Sequence, residues 1–166
     1  MPLSPTQEAS FLSFITDDKV YRKYYDEIII LLGTGLRISE LCGLTGKDID
    51  FENKLINVDH QLLKVSGVGY HIEVPKTKSG VRQIPMGTKV CEAFRRVLQG
   101  RKRTTPLIIG GYSGYIFLNR NRLPKVAVNY ESMFRGLAKK YNKCHEVTLP
   151  KVSPRRTSYV IRSAPI

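Results

Sequence analysis

The stretch "LINVDHQLLKVSGVGYHIEVPKTKSGVRQIPM", residues 55–86, decides what kind of fold this chain can adopt. Before it, apolar residues recur at helical spacing. Within it the pattern changes to short apolar runs broken by glycine, serine and proline. "LINVD", "QLLKV", "YHIEV" and "VRQIPM" read as strands, and "KVSGVG" and "PKTKSG" as turns between them. The expectation is a small antiparallel sheet of three or four strands, with "KTKSG" at the tip of its last hairpin.

Upstream, "LSPTQEASFLSFI" opens as a helix, with Ser4 as cap, Pro5 in the first position and Gln7 completing a capping box. "KVYRKYYDEIIILLGTG" predicts a second helix, buried toward its end and stopped by Gly33 and Gly35. "LRISELCGL" predicts a short third one. Downstream, "TKVCEAFRRVLQG" returns to helical period, with Val90, Phe94, Val97 and Leu98 on one face. "YIFLN" reads as a short strand or extended link, and "VAVNYESMFRGLAKKYNK" as a long amphipathic helix. Helices, then a small sheet, then helices is an α+β order.

Charge is polarised along the 166 residues. Residues 1–60 carry six Lys/Arg and ten Asp/Glu, a net of −4; residues 61–166 carry 21 and four, a net of +17. Such a split points to a basic face for a polyanion, nucleic acid ahead of an anionic membrane. Arginines cluster at 95–96, 101–103 and 120–122, and arginine grips phosphate with a planar fork. An apolar fraction of 42% supports a globular core. No apolar run reaches the length of a membrane span, and no signal segment opens the chain. Cys42, Cys91 and Cys144 are too widely spaced for a zinc site and read as reduced, buried or partly buried thiols of a cytoplasmic protein.

Two basic elements are candidates for a phosphate site. Arg37 stands at the start of a helix after a glycine-containing turn, where free N–H groups and a guanidinium suit an anion. A local ion pair with Glu40 is the competing reading. Lys76, with Lys78, lies in "PKTKSGVRQIP", where a hairpin tip can bring an ammonium to a phosphate oxygen; an exposed turn lysine is the alternative.

"TGLRISELCGLTGKDIDFENKLINVDHQLL" resembles the first box of the tyrosine recombinases, the phage-type integrases, and especially the integrases of conjugative transposons from Gram-positive bacteria. "KTKSGVRQIPM" resembles their lysine-bearing hairpin, and "GYSGYIFLNRNRLPKVAVNYESMFRGLAKKYN" and "VTLPKVSP" continue the likeness. The resemblance implies a mainly helical catalytic domain over residues 1–154, with a small antiparallel sheet carrying the lysine. It implies double-stranded DNA as partner, other integrase protomers in a synaptic complex, and strand exchange through a 3′-phosphotyrosyl link with no metal or cofactor. By the same resemblance, Arg37 is the first of two phosphate-clamping arginines, and Lys76 protonates the leaving 5′-oxygen, with Lys78 its competitor. Thr77, Lys78, Arg82, Arg120 and Arg122 are the expected DNA contacts.

The likeness ends at "VSPRRTSYVIRSAPI". The family calls there for His-x-x-Arg, a further His or Trp, and a nucleophilic tyrosine. Residues 155–166 therefore read as a diverged tail. Arg155 and Arg156 are coincidental arginines or stand-ins for the second clamp, and Tyr159 lies too near Pro154 to be the nucleophile. His60, His71 and His145 match no family box. The expectation is a partial catalytic domain, unable to cut DNA alone; a non-catalytic DNA-binding remnant or regulator is the alternative.

Overall fold

The computed structural model describes residues 4–101 and 107–145. α1 (Pro5–Asp17) begins with the expected capping box: the Gln7 amide donates to Ser4 Oγ at 3.2 Å, and the Ser4 amide to Gln7 Oε1 at 2.8 Å. A 3₁₀ turn (Arg22–Tyr24) then leads into α2 (Tyr25–Thr34). α2 thus starts six residues later than the periodicity suggests. Its run Ile28–Leu31 is buried on every side, as an all-apolar helix must be. Gly35, at φ 63°, takes the left-handed conformation that ends it. α3 (Ile38–Gly43) follows at once.

Five strands come next: β1 (Ile49–Asp50), β2 (Leu55–Val58), β3 (Gln61–Val65), β4 (Gly69–Glu73) and β5 (Arg82–Pro85). They do not form one sheet. β1, β2 and β5 make an antiparallel sheet in that spatial order, while β3 and β4 make a separate antiparallel ribbon. In the first, Ile56 lies opposite Ile84; in the second, Gln61 lies opposite Glu73 and Lys64 opposite Tyr70. The expected hairpin through "KTKSG" is therefore corrected. β4 and β5 are not partners, and the lysine segment crosses from one sheet to the other. The break between the two falls at Asp59–His60. The buried His60 ring stacks on Tyr112 at 3.8 Å, and its Nε2 lies 2.6 Å from the Gly43 carbonyl oxygen. This anchors the chain against the end of α3 just where it passes from β2 of the first sheet to β3 of the ribbon.

α4 (Thr88–Gln99) buries Val90 and Phe94 and packs on α2. An extended link through Ile116 and Phe117 then leads to α5 (Ala127–His145), which buries Tyr130, Phe134, Leu137 and Tyr141. One core joins α1–α5 with the inner faces of both sheets, including Leu41, Ile56, Leu62 and Phe94. Cys42 and Cys91 are buried there, and burial pushes the Cys42 thiol far up. Cys144 is exposed, contrary to expectation, because it falls on the outer face of the last turn of α5. Among the described residues, no helix is long and apolar enough to cross a membrane.

Candidate nucleic-acid interface

Arg37 occupies the cap position of α3, in extended conformation at ψ 148°. Its amide donates to Glu40 Oε2 at 2.8 Å, so the carboxylate closes the first turn of the helix. The Arg37 guanidinium makes only a long ion pair with the same carboxylate, at 3.8 Å, so the local pairing read from the sequence is present but loose, and the Arg37 side chain is 68% exposed. Glu40 is instead taken by Arg82 of β5, whose Nη1 and Nη2 donate to its two oxygens at 2.9 and 2.8 Å. Burial alone would raise the Glu40 carboxyl; the Arg82 fork, the Arg37 amide and both positive charges outweigh it and hold the group below its usual value. The same pairing raises Arg82, against the opposing effect of burial. Of the two arginines facing one carboxylate, Arg82 is held by two hydrogen bonds and Arg37 only by a long, exposed ion pair. α3 has only six residues, so the guanidinium, rather than a helix dipole, is what this position offers an anion.

Lys76, Thr77 and Lys78 lie between β4 and β5, all exposed. Lys78 opens a single 3₁₀ turn (Lys78–Gly80), and the Thr77 and Ser79 hydroxyls meet at 2.9 Å. The two ends of this segment touch. A Cβ added at Gly80 would fall 2.2 Å from Pro75 Cβ, so only glycine lets the loop close on itself. The Arg82 bond to Glu40 brings the far end of the loop to the turn that carries Arg37.

Arg120 and Arg122 lie on the link that leads into α5. The Asn119 side chain accepts from the Asn121 and Leu123 amides at 2.8 and 3.2 Å, building a tight turn in which Arg122 takes φ 61°. Arg120 lines a cavity of about 640 Å³ together with Lys23, Lys125 and Asn129; Arg122 lines a second of about 320 Å³. Neither cavity includes a residue of α3 or β5. Beneath the first, Lys125 Nζ meets Glu27 Oε1 at 2.6 Å with both side chains nearly buried. Burial, then the Glu27 charge, pushes the Tyr130 phenol well up.

Other expected cations are engaged internally. Arg96 holds Asp26 through Nε and Nη2, at 2.9 and 2.7 Å, and Arg95 lies over the Phe51 ring. That arginine pair is bound to the protein's own acid and aromatic ring. Asp48, Asp59 and His60 place ligand atoms within 4.8 Å of one another, but Thr45 occupies Asp48 and the His60 ring nitrogens face Asp59 and Gly43. His71 and His145 are exposed. Arg155, Arg156 and Tyr159 lie outside the described residues. The Glu40–Arg82 tie escaped the sequence reading. Its signal was present in the lone buried-type acid three residues after Arg37, but nothing in the sequence pairs positions 40 and 82.

The phage integrase family matches residues 2–154. The chain is 55% identical over 152 residues to the transposase from transposon Tn916 of Enterococcus faecalis, covering 92% of this chain and 38% of that protein. It is 26% identical over 137 residues to a XerC-like tyrosine recombinase of Caldanaerobacter subterraneus, covering 72% and 35%. Among solved structures, the Tn1549 transposon integrase in complex with circular intermediate DNA superposes with a TM-score of 0.91 at 58% identity, over 97% of this chain and 52% of that one. XerA recombinase shares the fold, with a TM-score of 0.63 at 24% identity over 98% and 47%. The chain spans about two-fifths of the length of the Tn916 protein.

Proposed function

The chain belongs to the phage integrase family, and on that premise we propose that it is the phosphate-gripping part of a tyrosine recombinase catalytic domain, acting on double-stranded DNA of a conjugative transposon. One observation carries the reading. Arg37 stands open beside a carboxylate that another arginine has already neutralised. An arginine free to meet a phosphodiester needs this arrangement, because an unpaired Glu40 would hold it or repel the phosphate.

In this reading Arg37 donates to the non-bridging oxygens and meets the charge that builds up in the five-coordinate transition state. As a tyrosine oxygen of the complete site forms its bond to phosphorus, Lys76 gives a proton to the departing 5′-oxygen, leaving a 3′-phosphotyrosyl link, a 5′-hydroxyl and a neutral amine. Lys78 competes for that role, and Thr77 and Lys78 steady the backbone around it. Arg82 acts through Glu40 first and through DNA second. Arg120 and Arg122 add contacts elsewhere along the duplex. Synapsis with other integrase protomers in the cytoplasm completes the proposal.

The test is fluorescence anisotropy with a labelled duplex at several salt concentrations. Each neutralised phosphate contributes about −0.9 to the slope of log affinity against log salt. Arg37→Ala and Lys76→Ala should each weaken binding and make that slope shallower. Binding that ignores both substitutions, or ignores salt, overturns the reading.

A further inference from the structure

The segment 74–81, which carries Lys76, hangs between two strands that do not pair with each other. No ladder of backbone bonds therefore sets the spacing of its two roots, Glu73 at the end of β4 and Arg82 at the start of β5. Side chains tie both roots to the same place. Arg82 reaches Glu40, as described above. Glu73 accepts from Gln61 Nε2, its cross-strand partner, and Gln61 Oε1 accepts from Ser39 Oγ at 2.7 Å. Ser39 and Glu40 are neighbours in the first turn of α3, immediately after Arg37.

We propose that Gln61 is a positioning residue: its amide links the Arg37 turn to the β4 root of the Lys76 segment, and with the Glu40–Arg82 tie it sets where Lys76 stands relative to Arg37. The inference rests on the reading of Arg37 and Lys76 as partners on one phosphate. Glutamine suits the task because one terminal group supplies both an acceptor for the Ser39 hydroxyl and a donor for the Glu73 carboxylate. Glutamate at this position would set two carboxylates against each other, and leucine would leave both partners unmet.

Gln61→Leu should weaken duplex binding about three- to tenfold, the loss expected when about one net hydrogen bond no longer holds the loop. In a Lys76→Ala background the same substitution should do nothing more, because the residue it positions is gone. Gln61→Glu should weaken binding as well. The reversed pair, Gln61→Glu with Glu73→Gln, should restore it, since donor and acceptor are exchanged. Ser39→Ala cuts the relay at its other end and provides a second variant should Gln61→Leu fold poorly. Amide hydrogen exchange over residues 74–81 should speed up in Gln61→Leu and Ser39→Ala, with or without DNA.

Two outcomes would overturn the positioning role while leaving the proposed function standing. One is Gln61→Leu and Ser39→Ala both binding as the parent does while Arg37→Ala and Lys76→Ala weaken binding. The other is a loss that persists undiminished in the Lys76→Ala background, which would make Gln61 a direct contact or a general stabiliser. If Arg37→Ala and Lys76→Ala leave binding intact, the functional reading fails; unchanged exchange over 74–81 would show separately that the tie itself is not operating.

Discussion

Glu40 faces two arginines, and the geometry predicts that they fail differently when it is altered. Glu40→Gln keeps the shape of the side chain and removes its charge. Three donors converge on the carboxylate: the Arg82 fork at 2.9 and 2.8 Å and the Arg37 amide at 2.8 Å. An amide offers one oxygen and turns an NH₂ toward the Arg82 donors, so at least one bond is lost and another is set donor against donor. A hydrogen bond to a charged group contributes about 1.5–3 kcal/mol, and removing one member of a buried ion pair costs about 3–5 kcal/mol. Arg82 remains 32% exposed, so water recovers part of its loss. The expected cost is about 2–3 kcal/mol, or roughly 4–12 °C in melting temperature for a domain of this size. Urea unfolding should show a lower midpoint with an unchanged slope. Arg82→Ala should cost a similar amount, and the double variant little more than the worse single one. Arg37→Ala, whose guanidinium stands 3.8 Å away and in water, should shift stability by about 0.5 kcal/mol or less while lowering DNA affinity. If Glu40→Gln unfolds with the parent, or if Arg37→Ala destabilises as much as Arg82→Ala, the division of labour between the two arginines is wrong.

The same carboxylate predicts a pH dependence. Glu40 in the fold titrates below its ordinary value, so its contribution is full above that value and is lost as pH falls through the folded one; the stability gap between parent and Glu40→Gln should close over that acidic window. Lys125→Met leaves Glu27 buried without its partner and should cost about 3–5 kcal/mol in a urea titration, against little effect from a surface lysine such as Lys89. Ser4→Ala removes the acceptor for the Gln7 amide and should cost about 1 kcal/mol by the same measure. Phe94→Ala, at a fully buried position of α4, should cost about 3–5 kcal/mol.

The sequence by itself determined the elements and the family. Helix period, caps and glycine stops located α1, α3, α4 and α5, and alternating short runs located β2–β5, because these signals act within a few residues of their own position. The same local character let the segments around Arg37 and Lys76 be singled out from the sequence as resembling the family's boxes. Tertiary structure decided how the strands were shared between two sheets, since the buried His60 and the Gly43 carbonyl meet only once α3 is in place. It also decided which cations are free. Arg82, Arg95 and Arg96 look in sequence like the other arginines of a basic half, yet Glu40, Phe51 and Asp26 claim them from 42, 44 and 70 positions away. Charge is read from composition, whereas its availability depends on distances of a few ångströms between residues far apart in the chain. For that reason the open guanidinium of Arg37, and the Ser39–Gln61–Glu73 tie near it, could be seen only in the folded molecule.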